Sequence, residues 1–262
     1  MRRALAAAAL CAAASCHSEK RSPPGPTAVP RPPLPAVDTT RPTRDFLAEA
    51  RVRRARLARV EQDPDPDVAA VTAEAQACAA DAHRAWATLY PEAAAARDPV
   101  QGHALLWAPG AEALYLEAVC TAIGARMQGF TPLIERRREL VSALTRVSQL
   151  APDLDGAGAE RELGALLTAL PTYAGGDLEE ARAHLFAAVQ RAPREARNHL
   201  VLARTVAVKA QDRTLFREQL HQAMGSDDPT AAADARALLQ REEELFGPPS
   251  EAAQPIPGGP QR

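Results

Sequence analysis

The sequence predicts an all-α protein built from tetratricopeptide-like helical hairpins, an α-solenoid with a C-terminal capping helix, and three observations carry that prediction. The first is a recurring spacing. Ala181, Leu185, Ala188 and Pro193 fall at steps of four, three and five, and Phe216, Leu220 and Ala223 repeat the first two steps one hairpin later. Leu140, Leu144, Val147 and Pro152 give a further copy upstream. Steps of three and four lay side chains along one helix face. A small residue, a large one, a small one and then a proline is the second-helix pattern of a repeat whose period is about 34 residues. The second observation is composition: 46% hydrophobic but only 4% aromatic residues, with alanine abundant, favours closely packed helices over a β-sandwich. The third is punctuation. Asp177, Asp212 and Asp228 each stand where a carboxylate would cap a helix N-terminus.

Four segments follow from the same reading. Residues 1–15 have two arginines, an apolar run and small residues, the layout of an export signal. They lead to Cys16 in the run Ala13, Ala14, Ser15, Cys16, which is similar to the lipobox at which bacterial lipoproteins are cleaved and acylated. Ala13 stands where leucine is preferred, and the other reading of this start is a soluble secreted protein. With His17 after the cysteine, the expected anchor is the outer membrane rather than the inner. Residues 16–43 are dense in proline, which blocks helix and sheet ladders alike, and are expected to form an extended tether or a disordered tail. The helical repeat domain is expected over 44–247, with a disordered tail over 248–262.

Within the repeat domain, Arg44 to Arg59 reads as a basic helix that either lies on anionic headgroups or turns its arginines to solvent. Asp65 as cap and Pro66 in the first turn open a helix reaching Tyr90, where Ala79, His83, Trp86 and Pro91 form a degenerate repeat copy. Pro99 to Pro109 is a short helix or a loop. Gly110 to Met127 is the first helix of a hairpin, in which Gly124 lets a neighbouring backbone come close. Thr131 caps its partner, with Pro132 in the first turn, and that helix ends near Leu150. Ala159 to Leu170 pairs with Asp177 to Arg191, where Glu180 would complete a capping box with Asp177. Pro193 starts the next helix, which pairs with Asp212 to Met224. Asp228 and Pro229 open a last helix running to Phe246 and Gly247, the cap that a solenoid end requires.

Charge and motifs exclude more than they assign. A net charge of −2 offers no basic field for nucleic acid. Metalloprotease, nucleophile-elbow and phosphate-loop patterns are missing, so no enzyme activity, cofactor or metal is expected. The histidines are scattered, and read as surface or groove residues. Cys78 and Cys120 would sit on helices of adjacent hairpins and are open to two readings, a disulfide in an oxidising compartment or a pair of buried thiols.

Two motifs carry a resemblance. Pro171, Tyr173, Gly175, Gly176 and Asp177 form one, and the run from Ala207 to Phe216, with Gln211, Asp212 and Phe216, forms the other. Together they resemble the T-component of TRAP transporters, over about residues 105 to 245. The resemblance implies a periplasm-facing lipoprotein that docks the periplasmic solute-binding protein of a TRAP transporter, assembles as a homotrimer, and has an apolar channel for a hydrophobic ligand. Trp107, Tyr115 and Tyr173 are expected near the ligand or partner surface. The other readings are a generic scaffold lipoprotein for envelope assembly and a stand-alone carrier of a hydrophobic molecule.

Overall fold

The structure, a computed structural model, describes residues 45–60 and 65–248. Cys16, the expected export signal and proline tether, and the residues beyond 248 lie outside the described residues. Helices α1 (Phe46–Val60) and α2 (Val68–Leu89) form the first hairpin. Two short helices, α3 (Pro91–Ala94) and α4 (Pro99–Ala104), and a 3₁₀ turn over Ala108–Gly110 lead to α5 (Ala111–Gln128) and α6 (Phe130–Leu150). The third hairpin is α7 (Gly158–Ala169) with α8 (Leu178–Arg191). The fourth is α9 (Ala196–Leu202), continued by a π-helical turn over Ala203–Ala207, with α10 (Arg213–Met224). α11 (Pro229–Gln240) and α12 (Glu242–Phe246) close the C-terminal end, and there is no strand among the described residues. The hairpins pack on one another in chain order: α2 on α5, α6 on α7, α8 on α9, α10 on α11. First helices also stack on one another, α5 on α7, α7 on α9 and α9 on α11, the sequential contact of a solenoid.

The repeating positions are buried as the spacing requires. Leu140, Leu144 and Val147, then Ala181, Leu185 and Ala188, then Phe216, Leu220 and Ala223 are all inaccessible to solvent. Small residues let helices approach. A Cβ at Gly164 would stand 2.4 Å from Leu185 Cγ and 2.9 Å from the Ala181 carbonyl oxygen, so α7 and α8 touch there almost backbone to backbone. A Cβ at Gly124 would lie 3.3 Å from that of Ala75, so the neighbour that comes close there is α2, through a methyl group rather than its backbone.

Among the described residues the core divides into two large apolar clusters and a small one of Ala50, Ala82 and Leu116 between α1, α2 and α5. Of the large ones, the first gathers α2, α5 and α6 around Trp86, Leu114, Ile123 and Leu144; the second gathers α8 to α11 around Leu185, Leu202, Phe216 and Leu220. Helix α7 serves both, since Leu163, Leu166 and Leu170 join the first and Leu167 the second. Cys78 and Cys120 form a disulfide that ties α2 to α5, with Cα atoms 5.9 Å apart. Of the two readings left open by the sequence, the structure takes the bonded one.

Several local expectations change. Asp67, not Asp65, caps α2, accepting from the amides of Ala69 and Ala70. The buried stripe of α2 is Ala75, Cys78, Ala82 and Trp86; Ala79 and His83 are half-buried, one register to the side. α6 begins at Phe130, so Thr131 falls inside its first turn, and Gly129 at φ 107° precedes it. Asp177 does accept from the amide of Glu180 at 2.9 Å, but Glu180 turns toward His184 instead. Pro193 stands before α9, whose cap is Glu195. The last helix breaks at Arg241 into α11 and α12. Three arginines of α1 pair with acids of neighbouring helices while Arg51 and Arg56 stay exposed to solvent: Arg51 grips Glu112 with two bonds of 2.6 Å, Arg53 bonds Glu74 and Asp81, and Arg56 reaches Glu74.

Candidate functional site

The two sequence motifs are turns with separate structural tasks. In the first, Pro171 opens a 3₁₀ turn over Thr172–Ala174, and the Gly176 amide donates back to the Pro171 carbonyl at 2.9 Å. Gly175 sits at φ 83°, which only glycine adopts cheaply. A Cβ on Gly176 would fall 1.9 Å from the Leu170 carbonyl oxygen, a position no side chain can occupy. Arg137 of α6 donates to the Gly175 carbonyl at 3.1 Å, tying the turn to the preceding hairpin, and Asp177 then caps α8. Tyr173 is the exception: it is 88% exposed at the tip of the turn, with no part in holding it.

In the second motif, Gln211 takes φ 56° to end the α9 segment, and its side-chain amide donates to the carbonyls of Val208 and Leu245. Asp212 caps α10 through the Leu215 amide at 2.9 Å. Phe216 is fully buried and meets Phe246 of α12 at a centroid distance of 5.0 Å. Arg213 donates to the Gly247 carbonyl and lies over the Phe246 ring, while Arg213 and Arg217 both pair with Glu242. The run that looks like a signature is the seat of the C-terminal cap.

Tyr115 does not lie at a surface. It is 5% exposed, and its hydroxyl donates to Asp155 Oδ2 at 2.6 Å while accepting from Arg161 at 3.2 Å. These groups belong to a buried polar cluster where hairpins two, three and four meet. Arg161 is bonded to Asp155 Oδ2 at 2.6 Å and to Asn198 Oδ1 at 3.0 Å. Asn198 in turn donates to the carbonyls of Gly156 and Ala188, and Arg197 bonds both Asp155 and Glu195. Burial would raise the Asp155 carboxyl, but the charges of Arg161 and Arg197 outweigh it and hold the group below its ordinary value. Burial pushes the Tyr115 phenol well above its own. The chain pays for bringing Asp155 inward with three successive left-handed residues, Asp155, Gly156 and Ala157, at φ 51°, 62° and 61°. Sequence reasoning missed this cluster because Asp155, Arg161 and Asn198 come from three elements and share no spacing.

The region from Pro99 to Pro109 supplies the wall of a small cleft. His103 on α4 is buried, and its Nδ1 lies 3.1 Å from Ser142 Oγ of α6. With His83 and Trp86 of α2, Glu117 of α5 and Glu139 of α6, it surrounds a cavity of about 80 Å³. His83 Nδ1 lies 3.0 Å from Glu117 Oε1, and the Trp86 indole N–H donates to Glu117 Oε2. That contact with Glu117 raises the His83 imidazole above its ordinary pKa, whereas burial lowers His103. Trp107 is half-buried and packs on the first core cluster. His199 is a core residue, where the sequence pointed to a surface or groove position, bonded to Gln219 and to the Pro193 carbonyl, whereas the buried His103 does line a cleft.

A second histidine pair joins α7 to α8. His184 Nδ1 lies 2.7 Å from Glu160 Oε2, and Ser148 of α6 donates to the other oxygen of Glu160. The bond to Glu160 raises His184, and the same bond lowers Glu160. The order of the groups is wrong for nucleophilic catalysis, since the serine faces the carboxylate rather than the imidazole. Among the described residues no three His, Cys, Asp or Glu side chains are grouped to hold a metal ion, and no helix is long and apolar enough to cross a membrane.

Among known families, the profile described as TRAP transporter T-component aligns with residues 111–246, from the start of α5 to the end of α12. No curated protein matches the chain.

Proposed function

The chain belongs to the TRAP transporter T-component family, which matches it over more than half its length, and from that premise we propose that it works as the accessory subunit that docks a periplasmic solute-binding protein. The observation that carries the reading is the coincidence of the family match with the stacked hairpins α5 to α12. A preformed helical wall recruits a partner with little ordering cost. Tyr173 at the tip of the first motif turn and Phe130 at the start of α6, 66% exposed, are apolar groups available to such a partner.

The same reading places the protein outside the reducing cytosol, anchored through an acylated Cys16, with the outer membrane as its expected site. The Cys78–Cys120 disulfide supports an oxidising compartment. A homotrimer and a channel for a hydrophobic ligand complete the proposal on the strength of the family alone.

Affinity capture of the full chain from detergent-solubilised membranes, followed by mass spectrometry, tests it. The expected result is a periplasmic solute-binding protein in the eluate and a lipid-modified N-terminal cysteine at position 16. Recovery of an envelope-assembly complex, or of the chain with a bound lipid and no protein partner, would replace the transporter assignment.

A further inference from the structure

Helix α1 covers the Cys78 side of the disulfide. Both cysteines are fully buried, and the Ala50 carbonyl oxygen of α1 stands 3.5 Å from Cys78 Sγ. Arg53, one turn further along α1, bonds Glu74 at 2.8 Å and Asp81 at 2.9 Å. Those two acids sit about one turn to either side of Cys78 on α2, so a single guanidinium straddles the cysteine. Arg51 holds the other flank through Glu112 of α5, the helix that carries Cys120. Because a backbone carbonyl meets the sulfur there, no side-chain rotation uncovers it. The helix itself has to move.

The hold on α1 differs in kind from the hold on its neighbours. Among its described side chains α1 buries Ala50 and Leu57, with Leu47 half-buried, whereas α2 buries six residues and α5 twelve. Apolar burial is the main favourable contribution to folding, so α1 lifts at a fraction of the free energy that parts α2 from α5. Most of its polar contacts are wet: Arg51 and Glu112 are 52% and 36% exposed, and Arg56 is 62% exposed. Ion pairs of that kind weaken as salt rises. Arg53 makes the tighter contact, since Asp81 keeps only 5% of its side chain in solvent.

We infer that α1 is a releasable strap: closed, it keeps the disulfide inert, and lifted with the rest of the fold intact, it admits a dithiol to the sulfurs. The bond under its control fastens the first hairpin to α5, where the family profile begins. Reduction balances as ordinary exchange. A thiolate of the dithiol attacks one cysteine sulfur, the S–S bond breaks and the other sulfur leaves as thiolate; the second thiol then displaces the protein from the mixed disulfide. The reagent ends as a disulfide, and two electrons and two protons pass to Cys78 and Cys120. The inference does not depend on the transporter assignment.

Reduction of the full-length protein by dithiothreitol at fixed pH, followed by alkylation and peptide mapping of Cys78 and Cys120, tests it. The parent rate is expected to rise severalfold between about 0.05 M and about 1 M sodium chloride. R53Q is expected to react about tenfold faster than the parent at low salt and to respond less to salt, any effect of salt on the reagent being common to both. In urea the logarithm of the parent rate should rise with a slope well below the equilibrium m value, the mark of local rather than global opening. R51Q, which loses an exposed pair, should show a smaller acceleration and keeps the test open if R53Q does not fold, as judged by its circular dichroism. A urea slope equal to the global m value would mean that the bond opens only when the whole chain unfolds. Variant rates equal to the parent's would mean that α1 does not guard it; either result overturns the inference.

Discussion

Arg161 and Asp155 face each other at 2.6 Å at the joint between the second and third hairpins, with the guanidinium only 3% exposed. The pair is a junction rather than a catalytic device, because Tyr115, Asn198, Arg197 and Glu162 all engage it. Removing one member of a buried ion pair leaves the other charge uncompensated, which costs about 3–5 kcal/mol. Asp155→Ala is therefore expected to lower the urea midpoint sharply, and Tyr115→Phe to lower the unfolding free energy by about 1 kcal/mol. If Asp155→Ala leaves the midpoint unchanged, the cluster does not hold the hairpins together.

The disulfide gives a second prediction. It closes a loop of 42 residues, for which the chain-entropy account gives roughly 4 kcal/mol. Reduction, or the C78A/C120A double variant, is expected to destabilise the protein by about that much. An unchanged thermal midpoint in the presence of reductant would show that the bond adds nothing.

Glycine spacing gives a third. Gly164→Ala forces α7 and α8 apart at Leu185 and is expected to cost about 1–3 kcal/mol. Gly176→Ala meets backbone rather than a movable side chain, and is expected to be worse. Hydrogen exchange should then report loosening at the first motif turn and the start of α8. Equal stability of Gly176→Ala and the parent would mean that the turn is not built as described.

The pH dependence of stability has separable parts. Asp155 and Glu160 are depressed on folding, so their contribution is complete above the ordinary carboxylate range near about pH 4 and is lost as pH falls through the depressed values. His83 and His184 are raised, so their contribution is complete below about pH 6.5 and disappears as pH rises through the raised values. His103, lowered by burial, opposes them only on the acid side of that value. Denaturation midpoints should fall on mild alkalinisation, and the H83Q/H184Q double variant should flatten that decline. An undiminished decline in the double variant would assign it to other groups.

The sequence disclosed the hairpins far better than their joints. Periodic burial at Leu185, Leu220 and Leu144 is a local signal, written at fixed steps along one helix, and the structure buries all three. Neighbouring caps, such as Asp67 against Asp65, depend on which carboxylate reaches the amides, and composition is the same for both. The two motifs were visible as patterns, but their task was not: Gln211 and Phe216 serve a helix 30 or so residues further on, through contacts that no local rule encodes. Tyr115 shows the same limit, since an aromatic on a helix looks alike in sequence whether it meets a partner or a buried carboxylate.

The most direct test of the docking claim is calorimetric titration of the purified chain with the solute-binding protein of a TRAP transporter from the same organism. The account predicts saturable, stoichiometric binding that Tyr173→Ala weakens without changing the thermal midpoint, because Tyr173 supports no other residue of the fold. Absence of binding to that protein, with the chain folded and its disulfide intact, would contradict it.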